Sequence, residues 1–102
     1  MKRVIWKYDV PVKNEFTLDL PRSRRILSVQ WQPSSGRWQM WVSVDADAPT
    51  EPVEFMMFGT GVEIPSDKGL NHVSTLLHYD GRIVVHLFEV LGVGYALPVN
   101  MT

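Results

Sequence analysis

Alternation constrains this chain more than any other feature: apolar residues recur at every second position in short runs, and proline or glycine cuts each run off. A strand sends successive side chains to opposite faces, so this period specifies half-buried strands rather than amphipathic helices. Over residues 3–10, Val4, Trp6, Tyr8 and Val10 share one face. Pro11 ends that run, because proline has no N–H to give a ladder. Phe16, Leu18 and Leu20 repeat the pattern up to Pro21, and Arg22-Ser23-Arg24-Arg25 reads as an exposed turn. Leu27, Val29 and Trp31 form the expected inward face of a third strand, and Trp38, Met40, Val42 and Val44 that of a fourth. Pro33-Ser34-Ser35-Gly36 between them is a turn by composition, which makes the two a hairpin. Val53 to Phe58 is apolar on both faces apart from Glu54, as suits a central strand.

Residues 59–69 read as a long connection containing Pro65, with one short helical turn near residues 65–70. Beyond it, Val73–Tyr79 and Arg82–Val90 flank Asp80-Gly81, a pair favoured in two-residue hairpin loops. Leu70, Val73, Leu76 and Leu77 also fit a helix face. Val73, Ser74 and Thr75 are weak helix formers, however, and the hairpin is the preferred reading. The fold class is therefore mainly β, an antiparallel sandwich or barrel of about seven strands forming one domain over residues 1–90. The remaining stretch, residues 91–102, has no charge and alternates Leu91, Val93, Tyr95, Leu97, Val99 and Met101. Such a tail is expected to be extended. It packs either on its own domain as an eighth strand or at a homodimer interface by strand exchange.

Composition narrows the chemistry. With 102 residues, 45% hydrophobic and 21% charged, the chain carries enough apolar surface to order itself. The lack of cysteine excludes disulfides, thiolate metal sites and cysteine nucleophiles together. Met1 to Tyr8 holds no apolar run long enough for a signal peptide. No segment approaches the roughly 20 apolar residues of a membrane span. A cytoplasmic protein without membrane contact is the expectation. The net charge of −1 conceals an asymmetry: residues 1–37 hold eight cations and three carboxylates, residues 38–102 two cations and eight carboxylates. The two halves interleave in a β fold, so this reflects either solvated strand faces or a bipolar surface.

The histidines do not converge in the expected hairpin. Thr75 faces His86 across it, while His72 and His78 lie on the opposite face, so no three-histidine metal site closes. Asp45-Ala46-Asp47-Ala48-Pro49-Thr50-Glu51 lacks the glycine and terminal glutamate of a calcium loop. Gly59-Thr60-Gly61 lacks the lysine of a phosphate loop and reads as a bulge or tight turn. Thr60 has no histidine partner in this reading, which gives a nucleophilic site no support. No cofactor, metal or catalytic residue is expected. Trp6, Trp31 and Trp38 fall on core-facing parities, whereas Trp41 lies on the outer face of its strand with Arg37 and Gln39. That tryptophan is set either to meet a partner or to be covered by a second sheet. The candidate partner-binding residues are Arg22, Arg24, Arg25, Arg37 and Trp41, with Tyr95 and Leu97 in the tail.

Five segments recur together in the order Trp6-Lys7-Tyr8, Ile26-Leu27-Ser28-Val29-Gln30, Asp45 to Glu51, Phe58-Gly59-Thr60-Gly61 and His86-Leu87-Phe88-Glu89. Over about residues 4–90 the chain resembles a family of short bacteriophage and prophage proteins of unknown function. Members typically have a histidine after the Gly-Thr-Gly, where this chain has Val62, so any role of that histidine is absent here. The resemblance implies a phage context, in which small proteins without catalytic residues often inhibit or redirect host complexes, CRISPR and other defence assemblies included. A non-catalytic inhibitor or adaptor of a host protein complex is the functional expectation. The alternatives are a β-barrel nucleic-acid binder using the arginines and Trp41, and a small structural virion protein. Net charge −1 argues against the nucleic-acid reading, because phosphate contacts supply most such affinity.

Overall fold

The structure is a computed structural model that describes residues 2–93. It contains β1 (Arg3–Val10), β2 (Glu15–Pro21), β3 (Arg24–Gln32), β4 (Arg37–Asp45), β5 (Thr50–Gly59), β6 (Lys68–His78) and β7 (Ile83–Val93). Every pairing is antiparallel. A three-stranded sheet has the order β1-β4-β3 and a four-stranded sheet the order β2-β5-β7-β6. The described chain is a sandwich of these two sheets. Two boundaries differ from the sequence reading. Residues 65–70 form no helical turn: Lys68 already opens β6, whose backbone pairs with the end of β7. Likewise β7 runs on to Val93, past the expected limit at Val90. The rest of the tail, Tyr95 and Leu97 with it, lies outside the described residues.

Alternation places the core between the sheets. Met40, Val42 and Val44 of β4 face Leu20, Val53, Phe55, Leu76 and Leu87 from the other sheet. Phe55, Leu20, Met40, Val42, Val44 and Leu87 are fully shielded, and each such side chain stabilises the fold by about 1.5–3 kcal/mol relative to exposure. Both hairpin turns have the expected chemistry. Asp80 and Gly81 have φ of 55° and 82°, and the Arg82 N–H donates to Tyr79 O at 3.1 Å. This is the primed turn whose twist matches its flanking strands. In the β3–β4 loop, Gly36 takes φ of 65° and its N–H donates to Gln32 O.

Two bulges alter which residues face inward. In β3 the register shifts between Ile26 and Ser28, so Leu27 is the extra residue. Ile26 packs against the core and Leu27 stands 46% exposed, the reverse of the simple alternation. In β6 the register shifts between His72 and Ser74, which makes Val73 the extra residue and pairs His72 with Phe88 instead of Glu89. A one-residue slip turns every side chain beyond it to the other face. Arg24 also departs from the expected turn. As the first residue of β3 it lies opposite Val44, and its guanidinium reaches between the sheets to Glu51 and Glu89.

Candidate functional site

At one end of the sandwich the β3–β4 hairpin brings Trp31 opposite Trp38. Their rings meet edge to face with centroids 5.7 Å apart, the arrangement favoured by aromatic quadrupoles. The His78 ring lies against Trp31 with centroids 4.0 Å apart, and the Tyr79 ring lies at the same distance from His78. Tyr79 has φ of 53°, a left-handed conformation unusual for a residue with a side chain. On the opposite side, Pro11 stops β1 and takes the chain away from β4. A cavity of about 470 Å³ is left, lined by Val10, Pro11, Val12, Trp31, Gly36 and Trp38. Its rim carries one ion pair, Arg37 Nη1 to Asp9 Oδ2 at 2.7 Å. The Gln39 side chain and then Arg37 hold the Asp9 carboxyl below the ordinary carboxylate range. The site is an apolar hollow walled by two indoles, with a donor and an acceptor fixed at its mouth. Its size suits a small ligand or one anchoring side chain of a partner.

The residues singled out from sequence do not form one patch. Arg22, Arg24 and Arg25 lie at one end of the three-stranded sheet and Arg37 at the other, as the rungs Arg25–Ser43 and Gln32–Arg37 show. Arg24 is 17% exposed in its side chain and donates to Glu51 Oε2 at 2.7 Å and to Pro21 O at 3.1 Å, with Glu89 at 3.6 Å. It joins the two sheets. Arg22 sits 3.7 Å from the same Glu51, and the Arg24 hydrogen bond holds that carboxyl below its ordinary range. Arg25 is exposed on the outer face opposite Ser43. Trp41 lies on that outer face between Lys7 and Ser28, half-buried by these neighbours.

The Val73 bulge creates an arrangement that the sequence reading excluded. His72 and His86 come to the same outer face of the four-stranded sheet. Thr60 Oγ1 is 2.8 Å from His86 Nε2, Thr75 Oγ1 is 3.0 Å from His86 Nδ1, and His72 Nε2 is 3.2 Å from Thr75 Oγ1. His72 also meets the Phe88 ring edge to face at 5.3 Å. Thr60 therefore does have a histidine partner. Two of the recurring segments, Phe58–Gly61 and His86–Glu89, meet at this contact. Gly61 has φ of 87° and the Val62 N–H donates to Gly59 O, the turn that demands glycine at its third position. The chain of hydrogen bonds pins this turn to β7 on an open sheet face. Among the described residues, no group of three or more His, Asp or Glu is placed to hold a metal ion. No helix among them is long and apolar enough to cross a membrane.

The hollow itself was missed in the sequence. The signal was present, because Trp31 and Trp38 flank the Pro33–Gly36 turn at mirrored positions. What could not be read was that Pro11 would leave their rings uncovered on one side.

No curated protein and no solved structure matches this chain. A family model described as a domain of unknown function, DUF7352, matches residues 1–94. With nearly the whole chain matched, the protein belongs to the DUF7352 family.

Proposed function

We propose that the protein acts without catalysis, by stoichiometric binding to a partner protein, and that an anchoring side chain of this partner enters the Trp31–Trp38 hollow. The hollow carries the reading. Its walls are tryptophan, valine and proline, its mouth holds Arg37 and Asp9, and it lies open to solvent at one end of the sandwich. Interface energy concentrates in such aromatic pockets, which shield an anchor from water. The phage resemblance supports a finer version, an inhibitor or adaptor acting on a host complex, defence assemblies included, in the host cytoplasm. The arginines lend less support to a nucleic-acid partner, since Arg22, Arg24 and Arg37 each face a carboxylate within 4 Å. A tagged wild-type protein in a pull-down from host lysate treated with nuclease tests the proposal. Recovery of one complex at fixed stoichiometry supports it. An empty pull-down, or salt-sensitive binding to bare DNA or RNA in anisotropy, overturns it.

A further inference from the structure

Among the described residues four strands form the sheet edges, and three of them are guarded. β3 is interrupted at Leu27, and β6 is irregular near Gly69 and Val73. β2 ends in Pro21 and shows Glu15 and Asp19 with no cation of its own. Bulges, prolines and unpaired charge are the usual protections of an edge. β1 has no bulge and no proline: it pairs with β4 over eight unbroken rungs. It exposes Ile5 to 61% on one face and Trp6 to 40% on the other. Lys7, which could guard it, is turned back over its own sheet and donates to Gln32 Oε1 at 3.0 Å.

We infer that β1 is a dimerisation edge, pairing antiparallel with β1 of a second copy so that Trp6 faces the second copy's Trp6 on the two-fold axis. Backbone direction and charge select this register. The Ala46 N–H donates to Lys2 O, so even-numbered residues of β1 aim their backbone groups at β4. Arg3, Ile5, Lys7 and Asp9 aim theirs at the open edge. A symmetric pair then centres on residue 5, 6 or 7. Centring on Ile5 sets Arg3 against the second copy's Lys7, and centring on Lys7 sets two lysines together. Like charges directly opposite are destabilising. Centring on Trp6 sets Arg3 against the second copy's Asp9, Val4 against its Tyr8, and Ile5 against its Lys7. Arg3 and Asp9 already hold Ser23 and Arg37, so complementarity of charge, without a new ion pair, is what the register requires. The result is one six-stranded sheet of order β3-β4-β1-β1-β4-β3.

The chain has no cysteine, so single cysteines report the register directly. Residues on the axis in this register form a non-hydrogen-bonded pair, with Cα atoms about 4.5 Å apart, within the span of a disulfide. Under mild oxidant Trp6→Cys is expected to form a covalent dimer, and Ile5→Cys and Lys7→Cys to remain mostly monomeric. Sedimentation of the wild type across a concentration series is expected to reach twice the chain mass. Lys7→Pro removes an N–H on the open edge and the exposed Lys7–Gln32 bond but no ladder bond to β4, so it is expected to keep the wild-type circular dichroism while sedimenting as a monomer. A wild type that stays monomeric throughout overturns the inference. So does cross-linking that favours position 5 or 7.

Discussion

Leu27 and Leu87 show how far burial, rather than residue type, decides what a side chain contributes. Leu27 is the extra residue of a bulge and faces solvent, whereas Leu87 is fully enclosed between the sheets. Leu27→Ser is expected to change stability by less than about 0.5 kcal/mol, and Leu87→Ala to cost about 2–5 kcal/mol through lost burial and the cavity left behind. Chemical denaturation of both variants checks the contrast. Reading alternation alone puts Leu27 inside, because Ile26 and Leu27 are adjacent apolar residues and either could begin the inward series. Only the pairing of β3 with β4 settles it. The carboxylates give a second residue-scale expectation. Asp9, Asp45 and Glu51 all titrate below their ordinary range in the folded chain: Asp9 chiefly through Gln39, Asp45 through the Asp47 N–H, and Glu51 through Arg24. A group with a lowered folded pKa stabilises the fold fully above its unfolded value, and that contribution is lost as pH falls through the folded one. Thermal midpoints are therefore expected to hold steady near neutral pH and to fall below about pH 4, near the ordinary carboxylate values. Glu51→Gln should lower the neutral midpoint and flatten part of that acid decline; an acid decline unchanged by this substitution contradicts the Arg24–Glu51 assignment.

At the scale of elements, the β6–β7 hairpin separates what a sequence can show from what it cannot. Asp80-Gly81 fixes the turn, and the turn fixes the rungs His78–Ile83, Leu77–Val84 and Thr75–His86, all of which follow from the sequence alone. Past Ser74 the reading fails, since Val73 is as suitable for a regular rung as for a bulge and nothing local marks it as extra. That one residue places His72 beside Phe88 and completes the bond chain from Thr60 through His86 and Thr75 to His72. Deleting Val73 is expected to close the rungs His72–Phe88 and Ser74–Leu87 into plain alternation and to leave His72 opposite Phe88 on the outer face. The expected result is a His72–Phe88 ring contact present in both the wild type and the deletion variant, read by nuclear Overhauser effects. A His72–Phe88 contact that forms only on deletion would contradict the bulge assignment. The arginines follow the same logic: Arg24 reads as a turn residue by composition, but pairing begins there, and its rung with Val44 sends it between the sheets.

At the scale of the described chain, two sheets packed around Phe55, Met40, Val42 and Leu87 make a slab of 38 × 37 × 19 Å with an aromatic hollow at one end. Trp6, expected to face the core, stands 40% exposed on the edge strand. The seven strands, their antiparallel order of appearance and the core contacts of Trp31 and Trp38 were legible from period-2 patterning and turn chemistry. Which strands share a sheet was not, because β1 leads to β2 and β4 to β5 across the sandwich, and a connecting loop carries no mark of the sheet it enters. The hollow was hidden for the same reason, since it depends on where β1 parts from β4 at Pro11. Its role as the partner site is the claim on which the functional account rests. The most direct test is a quantitative pull-down from nuclease-treated host lysate with three baits: wild type, Trp31→Ala and Trp41→Ala, each first shown to be folded by circular dichroism. The expected result is one protein complex recovered with wild type and Trp41→Ala and strongly depleted with Trp31→Ala. Equal recovery with Trp31→Ala, or loss only with Trp41→Ala, would place the partner elsewhere on the molecule and contradict the account.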